Sequence, residues 1–179
     1  MVMKMKEIMN AEQLSRTLKR MTHEIIERNQ TLSDIVFVGI MKKGFPIAQI
    51  LNENLKRFAD VEAEIYPIDI HAYRDDLENK VTPRDQKINI QDKNVILVDD
   101  VLYTGRTIRA ALDSIIDMGR PELIQLVVMV DRGHRELPIR ADFVGKNVPT
   151  SKREKIDVLL KEIDGVDKVI IKESIEEDE

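Results

Sequence analysis

The feature that most constrains the fold is a run in the middle of the chain, residues 95–107, whose character changes twice along its length. Apolar residues come first, then the adjacent acids Asp99 and Asp100, and then a short loop of hydroxyl-bearing residues and glycine. An apolar run bounded by polar residues is typical of a strand that is buried on both faces. The run therefore predicts a buried strand, a turn and the start of a helix. Its residues are Val95, Ile96, Leu97, Val98, Asp99, Asp100, Val101, Leu102, Tyr103, Thr104, Gly105, Arg106 and Thr107.

Strand and helix patterns alternate along the rest of the chain. Apolar residues at helical spacing, Leu14, Leu18, Met21 and Ile25, predict the first helix. The alternation predicts an α/β fold with a mostly parallel sheet. The predicted elements are helices over 11–29, 45–58 and 107–118, strands over 35–40, 61–66, 94–99 and 123–130, and short strands near 143–144, 156–160 and 169–171.

Composition excludes several classes of protein. The 179 residues contain no cysteine, which excludes disulfides, zinc–thiolate sites, iron–sulfur clusters and cysteine nucleophiles. No apolar run reaches the roughly 18 residues of a membrane-spanning helix, and the N-terminus lacks the apolar core of a secretory signal. We therefore expect a soluble, cytoplasmic protein of one domain. The net charge of −5 argues against nucleic-acid binding by the whole surface, so any basic patch has to be local.

The acid pair and the loop behind it indicate one kind of ligand. Open α/β sheets bind ligands at the carboxyl ends of their strands, where Asp99 and Asp100 are expected. Amides at a helix N-terminus, aided by threonine hydroxyls and a glycine, suit a phosphate. Acceptors for hydroxyl groups beside donors for phosphate oxygens favour a sugar phosphate. Two alternatives stay open: a helix cap beside a solvated carboxylate, or a Mg²⁺ pocket, which would want a further acid that strand 35–40 does not supply.

Residues 95–107 resemble the signature of the type I phosphoribosyltransferases, which binds 5-phosphoribosyl-1-diphosphate. Segments 73–77, 130–142 and 145–147 resemble one group among them, the bifunctional pyrimidine operon attenuation protein/uracil phosphoribosyltransferase (PyrR) family. The similarity covers residues 11 to about 160. It implies a type I phosphoribosyltransferase fold, in which a central, mostly parallel twisted sheet is flanked by helices in a single domain over 1–179. The expected accessory parts are a flexible catalytic loop at about 71–91, a small base-binding hood at about 131–160 and an acidic tail at 173–179.

The resemblance assigns the sugar-phosphate contacts. Asp99 and Asp100 would accept hydrogen bonds from the ribose 2′- and 3′-hydroxyls, and residues 103–107 would bind the 5′-phosphate. Arg74, in the catalytic loop, would reach the diphosphate. Mg²⁺ would be carried mainly by the diphosphate substrate, with no direct metal ligand from the protein. The loop that holds the diphosphate would be Met41, Lys42, Lys43 and Gly44, with Lys43 as its binding side chain.

The resemblance also bears on the choice of base. Hypoxanthine–guanine relatives carry an acid where Tyr103 stands and a lysine where Asp131 stands, so this pair of residues disfavours a purine and favours uracil. The base-binding residues implied are Asp131, Arg132 and Val148. A structural ion pair between Asp131 and Arg132 is an alternative that the sequence leaves open.

Two basic segments suggest a second activity. The first helix carries basic residues opposite its apolar stripe, and segment 132–155 has seven basic residues against three acidic ones. Alone, each is typical of a solvated face. In the resembling family they bind a stem-loop in the leader of pyrimidine-operon (pyr) messenger RNA. The implied RNA-binding residues are Lys19, Arg20, His23, Arg28, His134, Arg135, Arg140 and Lys146.

The resemblance thus implies an RNA-binding attenuator of pyr transcription, responsive to UMP and UTP, that also makes UMP from uracil. A homodimer or higher oligomer is expected, because pairing would enlarge the basic surface. Two alternatives remain. One is a salvage transferase for a purine or another base without RNA binding, and the other is a catalytically silent RNA-binding nucleotide sensor.

Overall fold

The computed structural model describes residues 2–73 and 88–175. Short 3₁₀ turns at Leu32–Asp34 and His71–Tyr73 accompany the main elements. In chain order the strands and helices are β1 (Val2–Met9), α1 (Ala11–Arg28), β2 (Ile35–Ile40), α2 (Gly44–Ala59), β3 (Glu64–Ile68), β4 (Asn94–Leu102), α3 (Arg106–Met118), β5 (Leu123–Asp131), β6 (Phe143–Asn147), β7 (Glu154–Leu159), α4 (Lys161–Asp164) and β8 (Lys168–Ile175).

A five-stranded parallel sheet forms the centre of the molecule, in the order β3-β2-β4-β5-β6. Every residue of β2 is buried, as are residues 95–99 of β4, because both strands lie inside the sheet and are covered on both faces. The predicted α/β class and the mostly parallel sheet are therefore confirmed. Since all five strands run the same way, their carboxyl ends meet at one edge, where the predicted substrate residues lie.

The helices cover opposite faces of this sheet. The core on one face contains residues of α1 and α2 together with Ile96 and Val98 of β4, and Val101 packs against its margin. The core on the other face contains Ile108 and Ile115 of α3 together with Val95 and Leu97 of β4. This division places the start of α2 and the start of α3 on either side of the end of β4.

The first helix begins where the sequence predicts it. Asn10 accepts a hydrogen bond from the Gln13 backbone at 2.9 Å, while the Gln13 side chain accepts one from the Asn10 backbone at 2.9 Å. This reciprocal capping box satisfies two amides that the first turn would otherwise leave unpaired. Leu14, Leu18 and Met21 are buried against the sheet, which leaves the opposite side of the helix to its basic residues.

A second, antiparallel sheet has the order β1-β8-β7. It corrects two expectations. Residues 2–9 form a strand that the sequence analysis did not predict, although Met3 and Met5 alternate with Lys4 and Lys6 as in a strand with one apolar face. The acidic tail does not begin at Glu173, since Glu173 is a residue of β8 and pairs with both Lys4 and Glu154.

Other boundaries also differ from the predicted ones. β4 continues to Leu102, so the two aspartates belong to the end of the strand and do not follow it. β3 spans Glu64–Ile68, not 61–66. Of the segment predicted as a hood, β6 is the edge of the central sheet, and only β7 joins the second sheet. In the part of the chain described, no helix combines the length and the apolar character that crossing a membrane requires.

Candidate substrate and RNA sites

The two acids lie side by side near the end of the central strand. Asp99 is only 6% exposed and Asp100 is half-buried. One oxygen of Asp99 accepts the backbone N–H of Asp100 at 2.9 Å, and one oxygen of Asp100 accepts the N–H of Val101 at 2.9 Å. These short-range hydrogen bonds fix the direction of both carboxylates before any ligand arrives. The pair can therefore act as oriented acceptors for hydroxyl groups.

The loop behind the acids forms a concave site at the start of α3. Gly105 has a φ of +94°, a value that side-chain-bearing residues rarely adopt, and it caps the helix. The Thr104 hydroxyl oxygen accepts the backbone N–H of Arg106 at 3.3 Å. Residues 101–108 and Glu136 line a cavity of about 250 Å³. A helix N-terminus that opens into such a cavity is suited to a phosphate group.

The loop between β2 and α2 lies against the same acids. A side chain added at Gly44 would place its Cβ 2.3 Å from the Val98 carbonyl oxygen and 3.2 Å from the Asp99 Cα. Only glycine therefore allows the loop to lie this close to β4. Met41 and Lys42 are exposed, and the Met41 N–H donates to the Ile68 carbonyl at 2.9 Å. The predicted diphosphate loop and the predicted ribose-binding acids are thus neighbours.

Lys43 is directed away from the role that the sequence suggests for it. Its ammonium donates to the Val158 carbonyl of β7 and lies 3.1 Å from the Asp164 carboxylate. The hydrogen bond from the Leu160 N–H, together with the charge of Lys43, holds the pKa of Asp164 below its usual value. Lys43 therefore joins the start of α2 to the second sheet. Within this loop, Lys42 is the lysine that remains exposed.

The candidate base-binding residues divide into structural and accessible groups. Arg132 is 7% exposed and donates to the Thr150 hydroxyl at 3.1 Å and to the carbonyls of Ser151 and Glu154. Its guanidinium also lies 3.9 Å from the centre of the Tyr103 ring. These contacts give Arg132 a structural role. Its partners are Thr150, Ser151, Glu154 and Tyr103, and not the Asp131 carboxylate of the ion pair that the sequence left open.

Asp131 and Val148 are brought together at the carboxyl ends of β5 and β6. The Asp131 carbonyl accepts the Val148 N–H at 2.9 Å, and the Asp131 carboxylate accepts the Gly133 N–H at 2.9 Å. Val148 is half-buried against the core on the α1 and α2 face. Asp131 and Val148 are therefore neighbours at the edge where the strands of the central sheet end.

The loop over residues 103–107, called the phosphate loop below, is hydrogen-bonded to the segment that follows β5. The Thr104 carbonyl accepts the Glu136 N–H at 2.8 Å and the Leu137 N–H at 3.4 Å. The Glu136 carboxylate also lies 3.1 Å from the Arg106 Nε. The sequence analysis did not single out Glu136, because nothing in its local pattern reveals a partner thirty residues away. Any ligand that moves the phosphate loop must move the start of segment 132–142 as well.

The basic residues of α1 are mostly engaged. Arg20 contacts Glu24 at 2.6 Å and the Gly145 carbonyl at 2.6 Å, and Arg28 lies 3.3 Å from the Asp142 carboxylate. His23 stacks on Phe58 with their ring centres 4.4 Å apart, and Lys19 is half-buried. α1 is thereby held to β6, and its exposed cations lie beside those of segment 132–146.

The basic residues of segment 132–146 are freer. His134 bonds to the Thr150 carbonyl and meets the edge of the Tyr103 ring at 5.9 Å. Arg135, Arg140 and Lys146 are exposed, and within residues 2–73 and 88–175 none of them contacts a carboxylate. The structure thus brings the predicted RNA-binding residues to the two sides of β6.

One predicted residue cannot be placed. Arg74 lies outside the described residues, as does most of the predicted catalytic loop. Tyr73, the last residue described before it, packs against the core beneath α3. Burial and a hydrogen bond to Asp117 raise the pKa of the Tyr73 phenol.

Comparison with known proteins agrees with this geometry. Residues 4–162 match the family model of the phosphoribosyl transferase domain. Among solved structures, a hypoxanthine phosphoribosyltransferase from Staphylococcus aureus superposes with a TM-score of 0.72 at 20% identity, over 92% of this chain and 90% of that one. A hypoxanthine-guanine phosphoribosyltransferase from Bacillus anthracis gives 0.72 at 22% identity, over 96% and 99% of the two chains. The fold is therefore that of the phosphoribosyltransferases.

Curated relatives are much closer in sequence. A bifunctional protein PyrR from Enterococcus faecalis is 54% identical over 170 residues, covering 93% of this chain and 96% of the relative. A bifunctional protein PyrR from Clostridium perfringens is 55% identical over 172 residues, covering 93% and 97%. The chain belongs to the phosphoribosyltransferases and, within them, to the bifunctional PyrR family.

Proposed function

We propose that the protein transfers the phosphoribosyl group of 5-phosphoribosyl-1-diphosphate to uracil, which yields UMP and diphosphate, and that it regulates pyr genes by binding the leader RNA. The enzymatic part of the proposal rests on one observation. The loop at 41–44, the acids Asp99 and Asp100, and the phosphate loop lie next to one another. Gly44 lies against the backbone of Val98 and Asp99, and the phosphate loop follows three residues after Asp100. Membership of the bifunctional PyrR family supports both activities.

The arrangement explains how the transfer proceeds with little covalent help from the protein. Asp99 and Asp100 accept the 2′- and 3′-hydroxyls, and the amides of 104–107 bind the 5′-phosphate, so the anomeric carbon is held in place. Uracil N1 forms a bond to that carbon while its bond to the diphosphate oxygen breaks, and the N1 proton is released. The two carboxylates beside the sugar would stabilise the positive charge that develops on the ring. Catalysis is therefore mainly positioning and electrostatic stabilisation.

Magnesium is expected with this substrate. Within the described residues, no three carboxylate or imidazole groups come together as a metal cluster, and Asp99 and Asp100 form only a pair. This donor set suits a Mg²⁺ ion held mainly by the oxygens of the diphosphate and ribose, which it would neutralise as the diphosphate leaves. The loop at 41–44 would hold the diphosphate through its amides and Lys42, with Arg74 as a further cation.

Uracil is favoured over a purine by the residues at the base end of the site. The Tyr103 ring contacts the Arg132 guanidinium and the edge of His134, and these contacts fix its orientation. The position therefore offers a rigid aromatic surface, and it offers no carboxylate to a purine. Asp131 offers an acceptor for a donor such as uracil N3–H, and Val148 offers an apolar surface. These contacts would place the base between the end of β5 and the end of β6.

The bonds between the phosphate loop and segment 132–142 support control of RNA binding by nucleotide. When UMP or UTP occupies the phosphate loop, Thr104 and Arg106 hold Glu136 and Leu137, and with them the start of the basic segment. Ordering that segment in advance reduces the entropy that RNA binding has to overcome. The protein would then attenuate pyr transcription when uridine nucleotides are abundant. A homodimer or higher oligomer would join basic surfaces of two chains.

Two assays test this function. Incubation with uracil, 5-phosphoribosyl-1-diphosphate and Mg²⁺ should form UMP, and hypoxanthine or guanine in place of uracil should form little nucleotide. A gel-shift titration with a stem-loop from a pyr leader should show binding that weakens steeply with salt, because phosphate contacts dominate it. Failure of the first assay with success of the second would indicate a silent nucleotide sensor. The reverse result would indicate a salvage enzyme.

A further inference from the structure

Thr150 lies in the connection between β6 and β7, and it joins that connection to the residues that follow β5. Its hydroxyl donates to the Arg132 carbonyl at 3.1 Å and accepts the Arg132 Nε–H at 3.1 Å. Its own carbonyl accepts a hydrogen bond from the His134 ring. The sequence assigns Thr150 no role, yet the residue makes three hydrogen bonds at the base end of the proposed site.

These hydrogen bonds continue the contact between two strands past the end of the central sheet. Asp131 ends β5, and its carbonyl accepts the Val148 N–H at 2.9 Å just beyond the end of β6. Arg132 directly follows Asp131. Thr150 follows Val148 after Pro149, whose ring restricts the backbone between them. Thr150 therefore holds together the two segments that carry Asp131 and Val148, the proposed contacts of the base.

The Arg132 guanidinium depends on Thr150 for a contact that a substitution can remove. Its Nη2 donates to the backbone carbonyls of Ser151 and Glu154, whereas its Nε donates to the Thr150 hydroxyl. Among the described residues, this hydroxyl is the only side-chain group that accepts a hydrogen bond from the guanidinium. Arg132 is only 7% exposed, so water is poorly placed to replace a lost partner.

Both groups that contact the Tyr103 ring are held by Thr150. The Arg132 guanidinium lies 3.9 Å from the centre of that ring. The His134 ring meets its edge, with the two ring centres 5.9 Å apart and an angle of 73° between the planes. Cation–π and edge-to-face contacts both depend on the relative orientation of the groups. A change at Thr150 would therefore reach the Tyr103 ring through Arg132 and His134.

We propose that Thr150 is a positioning residue for the base. It holds Arg132 and His134 against Tyr103 and keeps the segments of Asp131 and Val148 together, so that uracil meets a surface of constant shape. This inference rests on the proposed function and deepens it, because it assigns part of uracil recognition to a residue that acts through others.

The effect of Thr150 should be confined to the base. In the described part of the chain, its hydrogen bonds run only to Arg132 and His134. The amides of 104–107 and the loop at 41–44, which would bind the phosphates, make no hydrogen bond with it. Loss of the Thr150 hydroxyl should therefore affect uracil and 5-phosphoribosyl-1-diphosphate differently.

The first test compares the two substrates in steady-state UMP formation by the full chain. Thr150→Val keeps the shape of the side chain and removes its hydroxyl. It should lower kcat/KM for uracil about tenfold, mainly through KM, within the roughly hundredfold effect that a misplacement of about 1 Å can have. KM for 5-phosphoribosyl-1-diphosphate should stay at its wild-type value. Thr150→Ser keeps the hydroxyl and should restore KM for uracil.

Thr17→Val is the matched control for this comparison. Thr17 is also half-buried, and its hydroxyl donates to the Gln13 carbonyl of its own helix at 2.8 Å. The control should leave both KM values unchanged, whatever its effect on stability. If Thr150→Val does not fold, Thr150→Ala provides the same test, because it removes the hydroxyl and adds no bulk.

A second measurement follows the ring itself and needs no catalysis. The chain has three tyrosines, so protein labelled with 3-fluorotyrosine should give one ¹⁹F signal for each, and Tyr103→Phe identifies the signal of Tyr103. Thr150→Val should shift this signal and leave those of Tyr66 and Tyr73 in place. Thr150→Ser should return it toward its wild-type position. A residue that only stabilises the fold would not move the signal of a single tyrosine.

Three results would overturn the inference while the proposed function stands. They are a wild-type KM for uracil in Thr150→Val, an equal rise of both KM values, or a Tyr103 signal that Thr150→Val leaves unchanged. Absence of UMP formation by the wild-type protein would instead refute the proposed function, and the inference with it.

Discussion

Asp99 and Asp100 are neighbours in sequence, yet their surroundings differ. Asp99 is almost fully buried and lies beneath Gly44, whereas Asp100 is half-buried and directly precedes the residues that line the cavity at the start of α3. Each carboxylate already accepts one backbone N–H. A ribose hydroxyl would therefore complete a partly formed set of hydrogen bonds, and on this proposal both positions need an anionic acceptor.

Replacing either acid by its amide should impair catalysis without unfolding the chain. We expect Asp99→Asn and Asp100→Asn each to lower kcat/KM for 5-phosphoribosyl-1-diphosphate by about tenfold or more, because a hydrogen bond to a charged group contributes roughly 1.5–3 kcal/mol. Steady-state UMP formation measures this loss. Asp60→Asn is the matched control, since Asp60 is exposed and its φ of +53° suits asparagine. Wild-type kinetics in both variants would contradict the assigned roles.

Two adjacent lysines allow a second comparison between single residues. Lys42→Met should raise KM for 5-phosphoribosyl-1-diphosphate about tenfold, because it removes a charged contact to the diphosphate. Lys43→Met should change KM little, because its ammonium bonds to Val158 and Asp164. It should instead lower Tm by about 2–4 °C, the shift that a loss of roughly 1 kcal/mol produces in a domain of this size. The opposite pattern of KM changes would restore the interpretation drawn from sequence.

Among the elements, α4 and the start of α2 are joined by a single charged contact. Asp164, the last residue of α4, accepts the Leu160 N–H at 2.9 Å and pairs with Lys43 at 3.1 Å. Both contacts favour the charged carboxylate and lower its pKa in the folded state. A lowered folded-state pKa means that the carboxylate stabilises the fold at any pH above its unfolded-state value, which is near 3.9.

That stabilisation should disappear as the pH falls through the lowered pKa of Asp164. We therefore expect Asp164→Asn to be less stable than wild type at pH 7, and the difference to close below about pH 4. Urea denaturation of both proteins from pH 7 to pH 3 measures the gap in the free energy of unfolding. Asp167→Asn, in the neighbouring turn, is a suitable comparison. A gap that persists unchanged at pH 3 would show that the charge of Asp164 is not its cause.

Elements with strong patterns were predicted closely from sequence, and weakly patterned ones were not. β2 matches the predicted bounds, and α2, α3 and β5 differ from them by one residue at most at each end, because their apolar periodicity reports burial directly. β1 shows only a short alternation of Met3 and Met5 with lysines, and residues 3–7 are exposed, so the pattern was too weak to predict its pairing with β8. The partners of Lys43 and Glu136 were also missed, since contacts between distant segments have no signature in either segment alone.

At the scale of the whole molecule, the proposed nucleotide site and the proposed RNA surface meet at the pair formed by Arg106 and Glu136. Glu136→Gln weakens this pair but keeps its backbone hydrogen bond to Thr104. We expect UMP to strengthen binding of the leader RNA in wild type and to do so by a smaller factor in the variant. The measurement is the RNA Kd with and without UMP. Identical RNA affinity with and without UMP in wild type would contradict the coupling.

The close packing of Gly44 on β4 has a consequence for how this enzyme can be altered. Because no side chain fits between the loop and the strand, the parts proposed to hold the sugar and the diphosphate are packed directly on each other. Laboratory evolution toward a different base would therefore find few tolerated changes in those parts. Tolerated changes would instead fall at the proposed base-binding residues Asp131 and Val148 and at their neighbours. Substitutions there could change the preferred base without changing how 5-phosphoribosyl-1-diphosphate is bound.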